Sequence, residues 1–262
     1  MARGIITLTT DFGLADPYVG IVKGVILGLA PGARLVDISH DVNPFEIAEA
    51  GFLIWQSWRY FPKGTVHMVV VDPGVGTLRR PIVAEAGGHY FLAPDNGVLS
   101  MIYEEQPHKV RAITAERYFL KPLSRTFHGR DIFAPVAARL SRGLAPARLG
   151  KPIRDYARLD FFKPVRTGKR IWTGTVLRVD RFGNMITNFR FTEFPTVATR
   201  PFLLRAGAET ITRFAGTFGE CPAGELAVIE GSTGYLEIVM NQASAARRLG
   251  CAAGSPVELT LY

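Results

Sequence analysis

The sequence predicts an α/β protein in two parts: a Rossmann-like N-terminal domain with a mostly parallel sheet over residues 1–162, and a small all-β barrel domain over residues 163–262. Three observations predict it. In the first part, apolar β-branched runs of strand length alternate with segments whose apolar residues recur at helical spacing. Those strands are apolar throughout, as suits a parallel sheet covered by helices on both faces. After Lys163-Pro164 the helical spacing stops, and short segments punctuated by Gly, Pro and Thr take over.

Taken in order, Ile5–Thr10 is a buried strand. Tyr18, Ile21, Val22, Val25, Ile26 and Leu29 then recur at helical spacing, and Pro31-Gly32 ends that helix. Leu35–Ser39 is the second strand, and Ile47–Tyr60 the second helix, stopped by Phe61-Pro62-Lys63-Gly64. Thr65–Val71 is a Val-rich third strand. Ile82–Glu85 and Tyr90–Ala93 read as a hairpin about Gly87-Gly88. Asp131 is expected to N-cap a helix through Leu140, with Gly143 just past its end. The barrel strands are expected at Trp172–Val179, Met185–Phe189, Phe202–Arg205, Glu209–Phe214, Leu226–Ile229, Tyr235–Val239 and Val257–Leu261.

Composition narrows the function classes. Two cysteines, Cys221 and Cys251, exclude a disulfide scaffold and a cysteine-rich zinc module, though they could form one bridge. The net charge of +8 raises nucleic acid as a partner, but the basic residues are scattered and only Arg79-Arg80 and Arg247-Arg248 are tight pairs. Neither a nucleic-acid nor a membrane partner is expected. Met1-Ala2-Arg3-Gly4 runs straight into the first strand without a signal segment, so a cytoplasmic location is expected.

Ligands of open α/β sheets sit beyond the carboxyl ends of the strands. Three polar clusters fall there: Thr9-Thr10-Asp11-Phe12-Gly13, Asp72-Pro73-Gly74-Val75-Gly76-Thr77 with Arg79 after it, and Phe127-His128-Gly129-Arg130-Asp131. Any one alone reads as a turn with a cap; three at one edge point to a site. Gly74-Val75-Gly76 is only a fragment of a phosphate loop. Asp11, Asp72 and His128 are metal-ligand types, yet His40, His67, His89 and His108 show no ligand spacing among themselves, and His67 reads as a core residue. Ser39-His40-Asp41 lacks a nucleophile elbow, and adjacent residues of an extended segment point apart. In the second part Asp180-Arg181-Phe182-Gly183-Asn184 stands out, with a hairpin turn as the plainer reading.

The full set resembles the S-adenosyl-L-methionine (SAM) hydroxide adenosyltransferases, relatives of the fluorinase and chlorinase. Thr9–Gly13, Val71–Gly76 with Arg79, Phe127–Phe133 and Asp180–Asn184 occur in that family's order across both parts. The resemblance implies hydrolysis of SAM to adenosine and methionine, without a cofactor or metal, by a homotrimer with sites between subunits. It implies Asp72, Arg79 and His128 as the catalytic set and Asp11 as the ribose ligand. Phe45, Phe182 and Asn184 would hold adenine, Asp180 the methionine ammonium, and Ser232 the carboxylate. Thr233 departs from the arginine of the fluorinase. The halogenating relatives carry tyrosine where Asp72 stands and serine where Gly129 stands, so a halogenase is the weaker alternative; a SAM or adenosine sensor would not need the catalytic three together. The chemistry agrees. A sulfonium leaves as a neutral thioether, so the remaining task is to align water with the C5′–S axis, with Asp72 and His128 expected to accept its hydrogen bonds.

Overall fold

The computed structural model describes residues 4–160 and 162–262; Met1, Ala2 and Arg3, where no signal segment is expected, lie outside them. The chain divides into two compact units between Leu159 and Asp160. The first unit contains β1 (Ile5–Thr10), α1 (Tyr18–Leu29), β2 (Arg34–Ser39), α2 (Ile47–Ser57), β3 (Val66–Val70), β4 (Pro81–Ala86), β5 (His89–Pro94), α3 (Ser100–Glu105), β6 (His108–Ala112), α4 (Ala134–Ser141) and β7 (Pro152–Ile153). Its sheet runs β2-β1-β3-β5-β4-β6-β7.

The four strands β2, β1, β3 and β5 are parallel, but β4 is antiparallel to β5 and β6, and β7 is antiparallel to β6. The expected mostly parallel, Rossmann-like sheet is therefore a mixed one. The reason is the hairpin: Gly87 and Gly88 take φ of 58° and 83°, conformations that glycine adopts without strain. The hairpin's second strand joins β3 in parallel, which leaves the first to run the other way.

The core lies between the sheet and its helices. Ile6, Leu8 and Met68 meet Val22 and Ile26 of α1 and Val136 and Leu140 of α4. Every residue of β3 is buried, as a strand covered on both faces requires. The α1 helix stops at Ala30, whose N–H bonds to Ile26 O at 2.7 Å, just before Pro31 removes the next donor.

The second unit contains β8 (Val165–Arg166), β9 (Ile171–Val179), β10 (Met185–Arg190), β11 (Phe202–Ala206), β12 (Glu209–Ile211), β13 (Leu226–Glu230), β14 (Tyr235–Met240), α5 (Ala245–Leu249) and β15 (Pro256–Leu261). Its antiparallel sheet runs β12-β11-β15-β9-β10-β14-β13, with β8 added to β9. The ends of that order meet. Past β12, Ala215 N–H donates to Val228 O at 3.0 Å and Val228 N–H to Arg213 O at 2.8 Å. The sheet is thus nearly barrel-shaped, with Phe189, Leu236, Ile238 and Leu259 inside and few free edges. Among the described residues no helix is long and apolar enough to cross a membrane.

Candidate active site

Three loops at one edge of the first unit's sheet converge, each beginning where a buried strand or helix fixes it. The first follows β1. Thr10 Oγ1 bonds His40 Nδ1 at 2.8 Å and accepts the Phe12 N–H at 3.3 Å. Gly13, at φ 63°, donates its N–H to His40 O at 2.8 Å. Asp11 lies between these anchors, and its Oδ2 accepts the Phe45 N–H at 3.0 Å. That bond accompanies a left-handed Phe45, φ 71°, whose ring is 70% exposed. A bulky residue there is strained and points to a function.

The second loop follows β3. Asp72 opens a turn closed by Val75 N–H to Asp72 O at 3.2 Å and Thr77 N–H to Gly74 O at 3.1 Å. Gly76 takes φ 77°, and a Cβ on it would lie 2.2 Å from Arg125 O, so only glycine fits. The turn brings Arg79 back onto Asp72. Arg79 Nε donates to Oδ1 at 2.9 Å and Nη2 donates to Oδ2. The pair is largely buried, and this two-pronged geometry is the strong form of the interaction.

The third loop carries His128. Arg79 Nη2 also donates to His128 Nδ1 at 2.7 Å. Burial first, and then the Arg79 charge, hold the His128 imidazole below its ordinary pKa, so it is neutral at pH 7. A guanidinium only donates, so Nδ1 must accept and the ring proton sits on Nε2. This differs from the expectation that His128 accepts a bond from water: its remaining polar group is a donor. Asp72 alone of the two keeps free lone pairs. Asp131, expected as an N-cap, instead lies inside a π-helical turn, Gly129–Phe133, that runs into α4. Fully buried, it accepts Ser124 N–H at 2.7 Å and Arg130 Nε at 2.6 Å, and so pins the loop that carries His128.

Asp11, Phe45, Asp72 and His128 line one cavity of about 470 Å³, with Phe12 and Tyr18 on its wall. That volume is in the range of small-molecule sites. Arg79 stands behind Asp72, and its buried Nη1 has no hydrogen-bond partner among the described residues. Gly129 also lines the cavity, and a Cβ on it would meet the Phe12 ring at 3.3 Å.

The other four candidates lie in the second unit. Asp180 heads the β9–β10 turn, where Oδ1 accepts both Phe182 N–H and Asn184 N–H at 2.9 Å. Oδ2 accepts Asn184 Nδ2 at 2.9 Å. Gly183 takes φ 86° against Ser244. Asn184 is buried, and Phe182 is 77% exposed. Ser232 sits exposed in the β13–β14 turn. One acid was missed. Glu237 on β14 is only 8% exposed, and burial, then the Asp180 charge, push its carboxyl up to about 7. The signal for it was a lone acid in the apolar run Tyr235–Met240.

A buried aspartate held by an arginine, with a neutral histidine beside it at the mouth of a ligand-sized cavity, defines an enzyme site for a small polar molecule. The family models narrow that class. SAM hydroxide adenosyltransferase N-terminal domain matches residues 6–150, and the C-terminal domain of the same family matches residues 174–258. The chain belongs to the SAM hydroxide adenosyltransferase family. It is 38% identical to an (R)-S-adenosyl-L-methionine hydrolase of Thermus thermophilus over 95% of this chain and 97% of that protein. It is 26% identical to a fluorinase of an Actinoplanes species over 98% and 97%. A crystal structure of an uncharacterised conserved protein from Thermotoga maritima superposes with a TM-score of 0.89 at 40% identity, covering 97% of this chain and 99% of that one.

Proposed function

We propose that this chain hydrolyses SAM to adenosine and L-methionine by in-line attack of water on C5′. The observation that carries the reading is the Asp72–Arg79–His128 cluster, bonded in series at the wall of a cavity that also holds Asp11. Arg79 occupies one lone pair on each Asp72 oxygen and so aims the others. Asp72 takes the proton of the attacking water, while His128 Nε2–H donates to its oxygen and orients it. Asp11 receives the ribose hydroxyls through the oxygen that does not serve the Phe45 N–H. The sulfonium needs no acid to leave, so the step needs neither metal nor cofactor. The names of the hydrolase relatives specify the R configuration at sulfur, and we assign that epimer as the substrate of this chain.

The remaining parts of the reading concern assembly. Phe182 and Asn184 are assigned to adenine, Asp180 to the methionine ammonium and Ser232 to its carboxylate, supplied to the first-unit cavity by a neighbouring copy in a homotrimer. The exposed rings of Phe45 and Phe182 support it, because stacking on a base is the use of such a ring that offsets its exposure. Free Cys221 and Cys251 suit a reducing, cytoplasmic setting.

The test is incubation with an epimeric SAM mixture in ¹⁸O water, followed by product separation. Adenosine labelled at the 5′-hydroxyl, methionine, and selective loss of the R epimer are expected. Intact SAM, or methylthioadenosine as product, would overturn the reading.

A further inference from the structure

Asp180 is the acid expected to hold the methionine ammonium, yet its carboxylate is already engaged by three N–H donors of its own turn. Oδ1 has no lone pair left and Oδ2 keeps only one. Glu237 is in the opposite condition. It lies mid-strand, opposite Ile186 of β10 and Ile229 of β13. Its neighbours Leu236 and Ile238 point into the barrel core, so strand alternation turns Glu237 to the outer face. There its carboxyl covers Gly231, where a Cβ would come within 1.9 Å of Oε1. Among the described residues no hydrogen-bond donor reaches it.

The charged groups around Glu237 are few. Asp180, in the β9–β10 turn, bonds Asn184 through its N–H at 3.0 Å and its Oδ2 at 2.9 Å. Asn184 lies two residues before Ile186, the cross-strand partner of Glu237, on the same side of the sheet, and the Asp180 charge acts on Glu237. Arg178 of β9 shares its cross-strand row but lies beyond Ile186, two strands away, or roughly 10 Å at the usual strand spacing. Ile186 and Ile229 flank it, and Gly231 brings no side chain. A carboxyl buried at an outer face beside a second acid, with no cation of its own, lacks the partner that such groups ordinarily have. The missing partner is a positive charge.

Resting on the proposed reaction, we infer that Glu237 is a specificity-determining residue, the open half of a two-carboxylate site in which it and Asp180 together receive the ammonium of the methionine moiety. The Asp180 turn sets the place, and Glu237 supplies the unoccupied acceptor. A ligand lacking the ammonium, such as adenosine, leaves the pair uncompensated and gains nothing from it. Binding of the cation favours the charged form of Glu237, so the complex forms with loss of a proton. The raised carboxyl pKa of about 7 places that event at neutral pH, where up to about half a proton per site is released.

The experiment is isothermal titration calorimetry of the full-length protein with SAM and with adenosine at pH 7, in two buffers of different ionisation enthalpy, with Glu237 intact and with Glu237→Gln. Both are in an Asp72→Asn background, so that hydrolysis, which itself liberates one proton per SAM, does not enter the signal. The substitution keeps the shape and removes the ionisation. We expect Glu237→Gln to weaken SAM about tenfold or more and to abolish the proton release, with adenosine affinity unchanged within twofold. With Glu237 intact, SAM affinity should fall as pH drops from 8 to 6, and with Glu237→Gln it should be flat. The inference is overturned if Glu237→Gln leaves SAM affinity as it is with Glu237 intact, if the proton release persists, or if adenosine weakens in parallel with SAM. Wild type that neither binds nor cleaves SAM would remove the parent reading as well. Wild type that cleaves SAM beside an unaffected variant removes only the role of Glu237.

Discussion

Asp72 and Asp180 head turns that look alike in sequence, each following a strand and each closed through a glycine, but they are held by different donors. Asp180 is bound within its own turn by two backbone N–H groups and a side-chain amide. Asp72 is bound by a guanidinium that also grips a histidine 49 residues further along the chain from Arg79. The first arrangement is local and mainly shapes the backbone. The second couples two loops and leaves lone pairs aimed at a cavity. The type of donor, more than the turn, therefore separates a carboxylate set to take a proton from one engaged first by its own turn.

The largest break in this comparison comes from Asp72→Asn. The amide would present an N–H to an Arg79 donor and could not take a proton from water. We expect kcat to fall by about 10² to 10⁴, the range of a lost general base, while SAM affinity holds within about tenfold. Steady-state kinetics and calorimetry on one preparation check it. A kcat within threefold of wild type would place Asp72 with Asp180 among the shaping carboxylates.

The two units also differ in how they respond to pH. All five histidines lie in the first unit. His67 is fully buried, bonded to Thr7 Oγ1 at 2.8 Å and to His89 at 3.1 Å. Burial, then the His89 charge, hold it down to about 3. The unfolded chain therefore binds a proton that the folded unit refuses. Its contribution to stability is complete above about pH 6.5 and is lost as pH falls toward 3, on the order of 4–5 kcal/mol. His67→Gln should flatten that loss, and hydrogen exchange at pH 4 should show the β3 amides opening early. If β3 stays protected at pH 4 as at pH 7, the histidine pair is not the acid-sensitive element.

Glu237 gives the second unit the opposite sign. Its folded pKa of about 7 lies above the ordinary 4.5, so here the folded state holds the extra proton. The contribution is complete below about pH 4.5 and is lost as pH rises through 7, on the order of 3 kcal/mol. In the absence of ligand, exchange from β14 should quicken between pH 6 and 8 relative to Glu237→Gln. Identical exchange in the two proteins would mean that the carboxyl is not compressed by its surroundings.

What the sequence made legible follows from range. The first five strands, the hairpin and the turn glycines depend on neighbouring residues and are readable, with Gly87-Gly88 turning where expected and Asp11, Asp72 and His128 meeting at one cavity; α3 and the short strands β6, β7 and β8 carry no comparable pattern and are absent from that reading. Four further features are not readable, three of them because they depend on contacts distant in sequence. The order of strands beyond β5 follows from where the hairpin docks, so the sequence predicts a mostly parallel sheet where the structure has a mixed one. Asp131 has the residue type of a cap, but Ser124 and Arg130 draw it into the helical turn. His67 and His89 show no ligand spacing in the sequence, yet parallel pairing of β3 with β5 brings them together, and they share a bond in the core. Glu237 is a lone acid in an apolar strand, and its burial follows from Ile186 and Ile229 on the flanking strands, which the sequence does not place beside it.

The smallest effect sharpens the opening comparison. If Asp180 is chiefly a turn former, its substitutions should follow its hydrogen bonds. Asp180→Asn retains an oxygen that can accept the Phe182 and Asn184 N–H groups and loses only the bond from Asn184 Nδ2, so it should cost at most about 1 kcal/mol. Asp180→Ala loses all three bonds and should cost about 1–2 kcal/mol, as does removal of a helix cap. Denaturant midpoints of the two variants measure the difference. SAM affinity then divides the roles. With Glu237 in place as the open acceptor, Asp180→Asn should bind SAM less than tenfold more weakly, and the double variant with Glu237→Gln should lose more than either alone. If Asp180→Asn keeps wild-type stability yet loses SAM by a hundredfold, Asp180 itself holds the cation, and the two turns are alike in function as well as in sequence.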